Sequence, residues 1–101
     1  MKPLILHLKY KYYYNVKNGQ KTHEYREVKP YWQKRLQNKR QIIFIPGYNN
    51  DNSCDLKADI VSIRTMPFRA LPDYVKQEFR FSGKQNSMFY DIEFKNIREV
   101  K

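Results

Sequence analysis

The segment Gly19-Gln20-Lys21-Thr22-His23-Glu24-Tyr25-Arg26-Glu27 follows a stretch rich in tyrosine and lysine and precedes an aromatic, basic one. Gly19 is a natural place for a helix to end, because glycine adopts the left-handed conformation without a Cβ penalty. The residues after it predict a strand over 22–27, on which alternate side chains share a face. One face of this strand then carries Thr22, Glu24 and Arg26, and the opposite face carries His23 and Tyr25.

Lys21, at the start of this strand, joins Glu24 and Arg26 in a polar cluster. Such a cluster can hold a phosphate or an amide, or it can act as acid and base, with Lys21 as the base and Glu24 as the proton shuttle. The plainer interpretation is a structural ion pair, in which Glu24 bridges the two cations on a partly exposed strand for ~0–1 kcal/mol. The residues alone favour the ion pair.

Composition limits the class of protein. The chain has 101 residues, with 20 Lys and Arg against 10 Asp and Glu, a formal charge of +10. This length predicts one domain over residues 1–101 with one modest core. The excess positive charge predicts an anionic partner, and aromatic rings interleaved with basic residues are typical of a nucleic-acid surface. Alternatively, the rings form the core and the lysines a solvated surface.

Cysteine, histidine and apolar residues indicate the compartment. Cys54 is the only cysteine, which excludes an internal disulfide and favours the cytoplasm. The apolar run at 4–8 is too short for a signal peptide, and no run is long enough to span a membrane.

His7 and His23 have no second ligand at metal-binding spacing, so we expect no metal and no cofactor. The sequence leaves the oligomeric state open and slightly favours a monomer.

Hydrophobic periodicity gives the predicted elements. Strands are expected at 4–8, 22–27, 41–45, 56–65 and 88–97, and helices at 9–18, from Pro30 and from Pro72-Asp73. The continuous apolar run at 41–45 predicts a strand buried on both faces. Three consecutive tyrosines in the first helix also favour a strand, but the stop signal Asn18-Gly19 and the strand that follows at once favour a helix. Together these elements predict an α+β fold, a small, mostly antiparallel β-barrel of about five strands with one main helix and two short helices.

Four segments together resemble the ASCH domain family, whose fold is a PUA-like β-barrel. They are the block Gly19-x-Lys21-Thr22-x-Glu24-x-Arg26, its continuation to Leu36, the strand end Phe44–Tyr48 and the closing strand Phe89–Phe94. The likeness runs from about Leu4 to Ile97 and is to a subgroup found in bacteria and their phages. It implies a cleft on the barrel that binds RNA or a modified nucleoside. With this resemblance, a functional site is favoured over a structural ion pair for the polar cluster.

The same resemblance bears on catalysis. A small bacterial member hydrolyses acetylcytidine with a lysine, a threonine and a glutamate. Its lysine matches Lys21, but Glu24 stands where its threonine would be, and Thr22 lies two residues too early to replace it. Asp73 and Glu78 are the nearby candidates for its glutamate. The missing threonine argues against amide hydrolysis.

The predicted site combines the strand cluster with an aromatic, basic platform and a loop tyrosine. Lys21 and Arg26 are expected to contact phosphate or a base carbonyl, and Glu24 to orient them or to accept from an exocyclic amine. Trp32 is equally well explained as a core anchor, and Tyr48 is better explained as an ordinary turn residue. The expected ligand-binding residues are Lys21, Thr22, Glu24, Arg26, Tyr31, Trp32, Lys34, Arg35 and Tyr48, and the catalytic candidates are Lys21 and Glu24.

Three functions are compatible with these residues. The leading one is binding of RNA or a nucleotide, with DNA as a further polymer to test. The second is an enzyme that hydrolyses a modified nucleoside or RNA, and the third is a phage or mobile-element protein that binds a host protein. Pro72-Asp73 followed by Glu93-x-Lys95 also fits a metal-dependent nuclease pattern, but Pro72-Asp73 predicts a helix start rather than a strand end.

Overall fold

The computed structural model describes residues 2–47, 54–79 and 83–100, and this part of the chain contains five strands and three helices. A single turn of 3-10 helix precedes the last helix. The elements are β1 (Leu4–Leu8), α1 (Tyr10–Lys17), β2 (His23–Glu27), α2 (Pro30–Leu36), β3 (Gln41–Pro46), β4 (Asp55–Pro67), the 3-10 turn (Phe68–Ala70), α3 (Asp73–Phe79) and β5 (Met88–Val100).

The strands form one curved sheet in the order β1-β3-β4-β5-β2. β1 pairs with β3 in parallel, and the other three pairs are antiparallel. The long pair β4–β5 contains two register shifts, and such irregularities bend a sheet and increase its twist. The α+β class and the mostly antiparallel pairing are therefore confirmed. The expected barrel is an open half-barrel, because β1 and β2 are its two edges.

The main core lies on one face of this sheet, under α1 and α2. Tyr13 and Val16 of α1 are completely buried there, against Phe44 and Phe94. The prediction that the third strand is buried on both faces is wrong, since its residues alternate between buried and half-buried. The reason is that the second cluster of apolar residues, on the opposite face, covers β5 and does not extend to β3.

That second cluster fixes α3 in place. Leu71, Val75 and Phe89 are buried in it, and Tyr25 and Phe79 pack against it, among other partly buried residues. The prediction that Val75 and Phe79 form the buried face of a helix after Pro72 is confirmed. Because α3 is anchored on β5 next to β2, it forms a wall beside the edge of the sheet.

Two glycines lie next to α1, Gly19 just after its end and Gly47 in contact with its first residue. Gly19 ends α1 with a φ of +82°, as the sequence predicts. Gly47 has a φ of +34°, and a Cβ there would lie 2.6 Å from Cε2 of Tyr10, so the end of β3 packs against the start of α1 only with glycine. No helix among the described residues is long and apolar enough to cross a membrane.

Candidate functional site

A pocket of about 310 Å³ lies where the half-barrel is open, between the end of β1 and the edge strand β2. Side chains of all three helices complete its walls. Among the described residues, its lining has five cations and three carboxylates, a formal excess of two positive charges. These residues are Lys9, Lys21, Arg26, Lys29 and Lys84, and Glu24, Glu27 and Glu78.

Glu24 is the centre of the polar cluster that the sequence predicts. It is 4% exposed, and its Oε1 lies 2.8 Å from Nζ of Lys21. Its Oε2 accepts from both Nη2 and Nε of Arg26, at 2.6 and 3.0 Å. One buried carboxylate therefore holds two cations side by side in the pocket wall, and the three groups together carry a charge of +1.

Each of these two cations also lies over an aromatic ring. Nζ of Lys21 is 4.9 Å from the ring centre of Tyr12, and the Arg26 guanidinium is 5.1 Å from Trp32. Cation–π contacts of this kind contribute about 0.5–2 kcal/mol. The backbone N–H of Lys21 donates to the carbonyl of Asn15 at 2.9 Å. The carboxylate, the rings and the end of α1 thus fix where the two positive charges are presented.

The acid of α3 that reaches the pocket is Glu78 and not Asp73. Burial raises the pKa of Tyr12 to about 12, and its hydrogen bond to Glu78 acts in the same direction. Tyr12 thus remains a phenol that donates to Glu78. The pocket brings together Lys21, Glu24 and Glu78, whereas Asp73 lines a separate shallow groove beside Phe68.

The predicted aromatic platform divides into two parts. Trp32 lines the pocket and also packs against the main core, so its role as a core anchor is confirmed and its role in ligand binding stays a prediction. Tyr31 is 59% exposed, with its ring edge on Trp32 and the Arg35 guanidinium 5.0 Å from its centre. Tyr31, Lys34 and Arg35 lie outside the pocket lining, as an exposed patch on α2 beside it.

Two predicted binding residues remain, Thr22 and Tyr48. Thr22 is exposed and absent from the pocket lining, so the block Lys-Thr-x-Glu brings only its lysine and glutamate together. Tyr48 lies outside the described residues.

Several pocket residues were missed by the sequence reasoning. Glu27 accepts from the Ser87 hydroxyl at 2.6 Å and pairs with Lys29 and Lys84 at 3.2 and 3.6 Å. The Ser87 hydrogen bond is the largest cause of a lowered pKa for Glu27. Burial raises the pKa of Tyr25 to about 12, assisted by Asp91 and Tyr74. Of these residues, the sequence pointed only to Tyr25, through its tyrosine-rich composition.

The opposite face of β2 carries a different cluster, as the alternation predicts. Nδ1 of His23 lies 2.7 Å from Oδ1 of Asp91, which is itself buried, and Arg64 reaches the other oxygen at 3.4 Å. In the part of the chain that the structure describes, no group of three His, Cys, Asp or Glu side chains is placed to hold a metal ion. Asp73 and Glu93, the acids of the nuclease pattern, therefore do not meet in such a group.

A scan against protein-family models finds no match, and a search of curated proteins finds none either.

Proposed function

We propose that this chain is an ASCH-like, PUA-like domain that binds RNA or a nucleotide in the pocket at the open edge of the half-barrel. The observation that carries this proposal is the arrangement of Lys21 and Arg26, held side by side by one buried carboxylate and backed by two aromatic rings. A site of this kind offers charge to a phosphate and flat surfaces to a base.

The energetics of the ion cluster support a binding role over a purely structural one. Burying a carboxylate is costly, and ion pairing offsets this cost only when the geometry is good. A single cation would neutralise Glu24, yet two are present, so the cluster keeps a net positive charge facing the pocket. Lysine and arginine have three and five N–H donors, and Glu24 accepts only part of them, which leaves donors for an anionic ligand.

The size and charge of the pocket support the same class of ligand. Its volume of about 310 Å³ is at the lower end of the range for small-molecule sites. The chain as a whole carries a formal charge of +10, which attracts a polyanion from a distance. The pocket would hold one nucleotide, and the surrounding charge would attract the phosphates on either side of it.

The test is a double substitution, Lys21→Ala with Arg26→Ala. We expect binding of single-stranded RNA to weaken at least tenfold, because each lost charged hydrogen bond contributes about 1.5–3 kcal/mol. The matched control is Arg40→Ala with Lys95→Ala, which removes the same charge from exposed positions outside the pocket. Fluorescence anisotropy with labelled RNA, DNA and nucleosides measures both. Unchanged binding of every probe by a folded Lys21/Arg26 variant would contradict the proposal.

Hydrolysis of an acylated cytidine is the second candidate, and the position of Glu78 favours it. Glu78 lies in the same pocket as Lys21 and accepts from Tyr12. In this function Glu78 takes a proton from the water that attacks the amide carbonyl, and Lys21 stabilises the oxyanion. Glu78 then returns the proton to the N4 nitrogen as the carbon–nitrogen bond breaks, which releases cytidine and acetate. Chromatography of N4-acetylcytidine incubated with the protein tests this. Turnover that Glu78→Gln abolishes supports hydrolysis, and no turnover by the parent protein leaves binding alone.

A further inference from the structure

The hydrogen bonds of β2 show which of its backbone groups face the pocket. In the antiparallel pair β2–β5, Phe94 N–H donates to the carbonyl of Thr22, and Val28 N–H donates to the carbonyl of Met88. The register pairs Glu24 with Ile92, in phase with these two bonds. In an antiparallel ladder the residues that exchange hydrogen bonds alternate with residues that do not. The even-numbered residues of β2 therefore point their backbone groups at β5.

The odd-numbered residues of β2 consequently point their backbone N–H and C=O groups the other way. β2 is the last strand of the sheet, so these groups face its open edge. Of the odd-numbered residues, Tyr25 lies between Glu24 and Arg26 and lines the pocket with them. Outside the pairing of β2 with β5, no backbone–backbone hydrogen bond among the described residues involves Tyr25. One donor and one acceptor on a rigid strand are thus presented next to the two fixed cations.

The surroundings of this edge fit a flat ring and not another strand. Tyr12 and Trp32 stand on one side of β2, and Tyr74 and Glu78 of α3 stand on the other, all in the pocket lining. An added strand needs a long, unobstructed edge, whereas the helices leave a cavity of about 310 Å³. A nucleobase has the matching shape, because its edge presents a hydrogen-bond donor beside an acceptor.

We infer that the backbone of Tyr25 reads the edge of a nucleobase, with its N–H donating to the base and its C=O accepting from it. This inference rests on the proposed function, since Lys21 and Arg26 hold the attached phosphate or sugar. It adds that the base itself is recognised by β2 through main-chain atoms, which no side-chain substitution removes. Backbone N–H and C=O groups on an edge strand are the same groups that recruit an extended peptide in other proteins.

Amide hydrogen exchange measured by NMR tests this without any substitution. The probes are RNA octamers of adenosine, cytidine or uridine, and an abasic octamer with the same number of phosphates. Tyr25 N–H is expected to exchange fast in the free protein and at least fivefold more slowly with an octamer that carries bases. Glu24 and Arg26, whose N–H groups already bond to β5, serve as internal controls and are expected to change little.

The outcomes separate the inference from the function on which it rests. If the base-bearing octamers bind but slow the exchange of the Tyr25 N–H no more than the abasic octamer does, the inference is overturned and phosphate binding stands. Absence of binding by every octamer overturns the proposed function and the inference together.

A backbone substitution gives an independent measurement. A chain of 101 residues is accessible to chemical synthesis, so the Glu24–Tyr25 amide can be replaced by an ester, which removes the Tyr25 N–H and keeps every side chain. We expect the ester to weaken binding of the best octamer about fivefold, the loss typical of one hydrogen bond. The control ester removes the N–H of Ile92, which pairs with Glu24 in the same ladder and lies outside the pocket lining, and is expected to lower stability with unchanged affinity. Equal affinities of both esters and the parent protein would contradict the inference.

Discussion

At the scale of single residues, the molecule depends on carboxylates that serve more than one partner. Glu24 bridges Lys21 and Arg26 at the pocket, and its side chain is only 5% exposed. Lys17 and Glu99 form an ordinary surface pair at 3.4 Å, with side chains 44% and 39% exposed. The same kind of interaction therefore occurs in this chain in a buried and in an exposed form, which allows a direct comparison.

Glu24→Gln is expected to destabilise the protein by about 1–3 kcal/mol. Removing the carboxylate leaves two neighbouring cations without their common partner, and buried pairs lose more than exposed ones when broken. Glu99→Gln removes the exposed carboxylate and is expected to cost under ~0.5 kcal/mol. Urea denaturation followed by circular dichroism gives both values. If the two variants were equally stable, the buried cluster would contribute no more than a surface pair.

Asp59 is a second shared carboxylate, at the other end of the sheet. It accepts from Asn96 at 3.0 Å, from Gln41 at 3.3 Å and from Arg98 at 3.2 Å. These hydrogen bonds, with that of Asn96 the largest, lower its pKa from 3.8 to about 2. Because the pKa is lowered on folding, the stabilisation is complete above about pH 4 and is lost as the pH falls through 2.

We expect Asp59 to titrate near pH 2 in the folded protein. Asn96→Gly removes the strongest donor, and glycine tolerates the positive φ of 59° at this position. The pKa of Asp59 should therefore rise toward its ordinary value in this variant, and the stabilisation that is lost below about pH 4 should be smaller and be lost over a narrower pH range. Carbon-13 NMR of the side-chain carboxyl, followed through an acid titration, measures the pKa directly. A titration midpoint that does not differ between the two proteins would show that Asn96 has no effect.

At the scale of elements, the site exists because α3 and α1 cover the open edge from opposite sides. α1 rests on the main core through Val16, whereas α3 rests on the small second cluster through Val75. Both valines are buried, at 0% and 3% exposure. The helix that carries Glu78 and Tyr74 therefore depends on far fewer buried residues than the helix that carries Tyr12.

Val75→Ala is expected to loosen α3 selectively. The lost methyl groups and the cavity cost roughly 2 kcal/mol, and the small cluster has few other contacts to retain the helix. Val16→Ala makes the same chemical change in the main core and should destabilise the whole fold instead. Hydrogen exchange distinguishes them, because Val75→Ala should raise exchange in α3 well above that in α1. Equal exchange across all elements in both variants would contradict the separate anchoring of α3.

The sequence predicts local features of the site better than its assembly. Alternation along β2 correctly separates Glu24 and Arg26 from His23 and Tyr25, because the two-residue period of a strand is a local property. Glu78 and Tyr12 line the same pocket only because β1 and β2 are the edges of the sheet. Strand order cannot be predicted from a local sequence pattern. The prediction that Thr22 shares the site with Glu24 is not met for a different reason. Thr22 precedes the regular strand and is exposed to solvent.

At the scale of the whole molecule, the positive charge is spread over the chain and the pocket holds only part of it. The chain has 20 lysines and arginines; of those that the structure describes, five line the pocket, where three carboxylates partly neutralise them. Long-range attraction of a polyanion is therefore a property of the entire surface, whereas specific contacts belong to the pocket. The two contributions differ in how they respond to salt and to substitution.

RNA affinity is expected to fall steeply as salt concentration rises, with a slope of about 0.7 per phosphate contact for a single strand. Lys29→Ala with Lys84→Ala removes two cations of the pocket lining and should reduce the slope by up to about 1.4. Lys95→Ala, on the exposed face of β5, should change it little. Anisotropy titrations at several salt concentrations give the slopes. A slope unaffected by the pocket pair would place the phosphate contacts elsewhere on the surface.

The open seam of the half-barrel has a consequence for self-association. An unpaired strand edge can recruit another copy of the chain, and proteins prevent this by covering the edge, as the three helices do beside β2, or with charged side chains. The segment β2 reads His-Glu-Tyr-Arg-Glu, so nearly every position along that margin carries charge or can gain it. The residues that attract a ligand thus also act as gatekeepers against aggregation, and a variant that neutralises them should form fibrils or oligomers sooner than its parent.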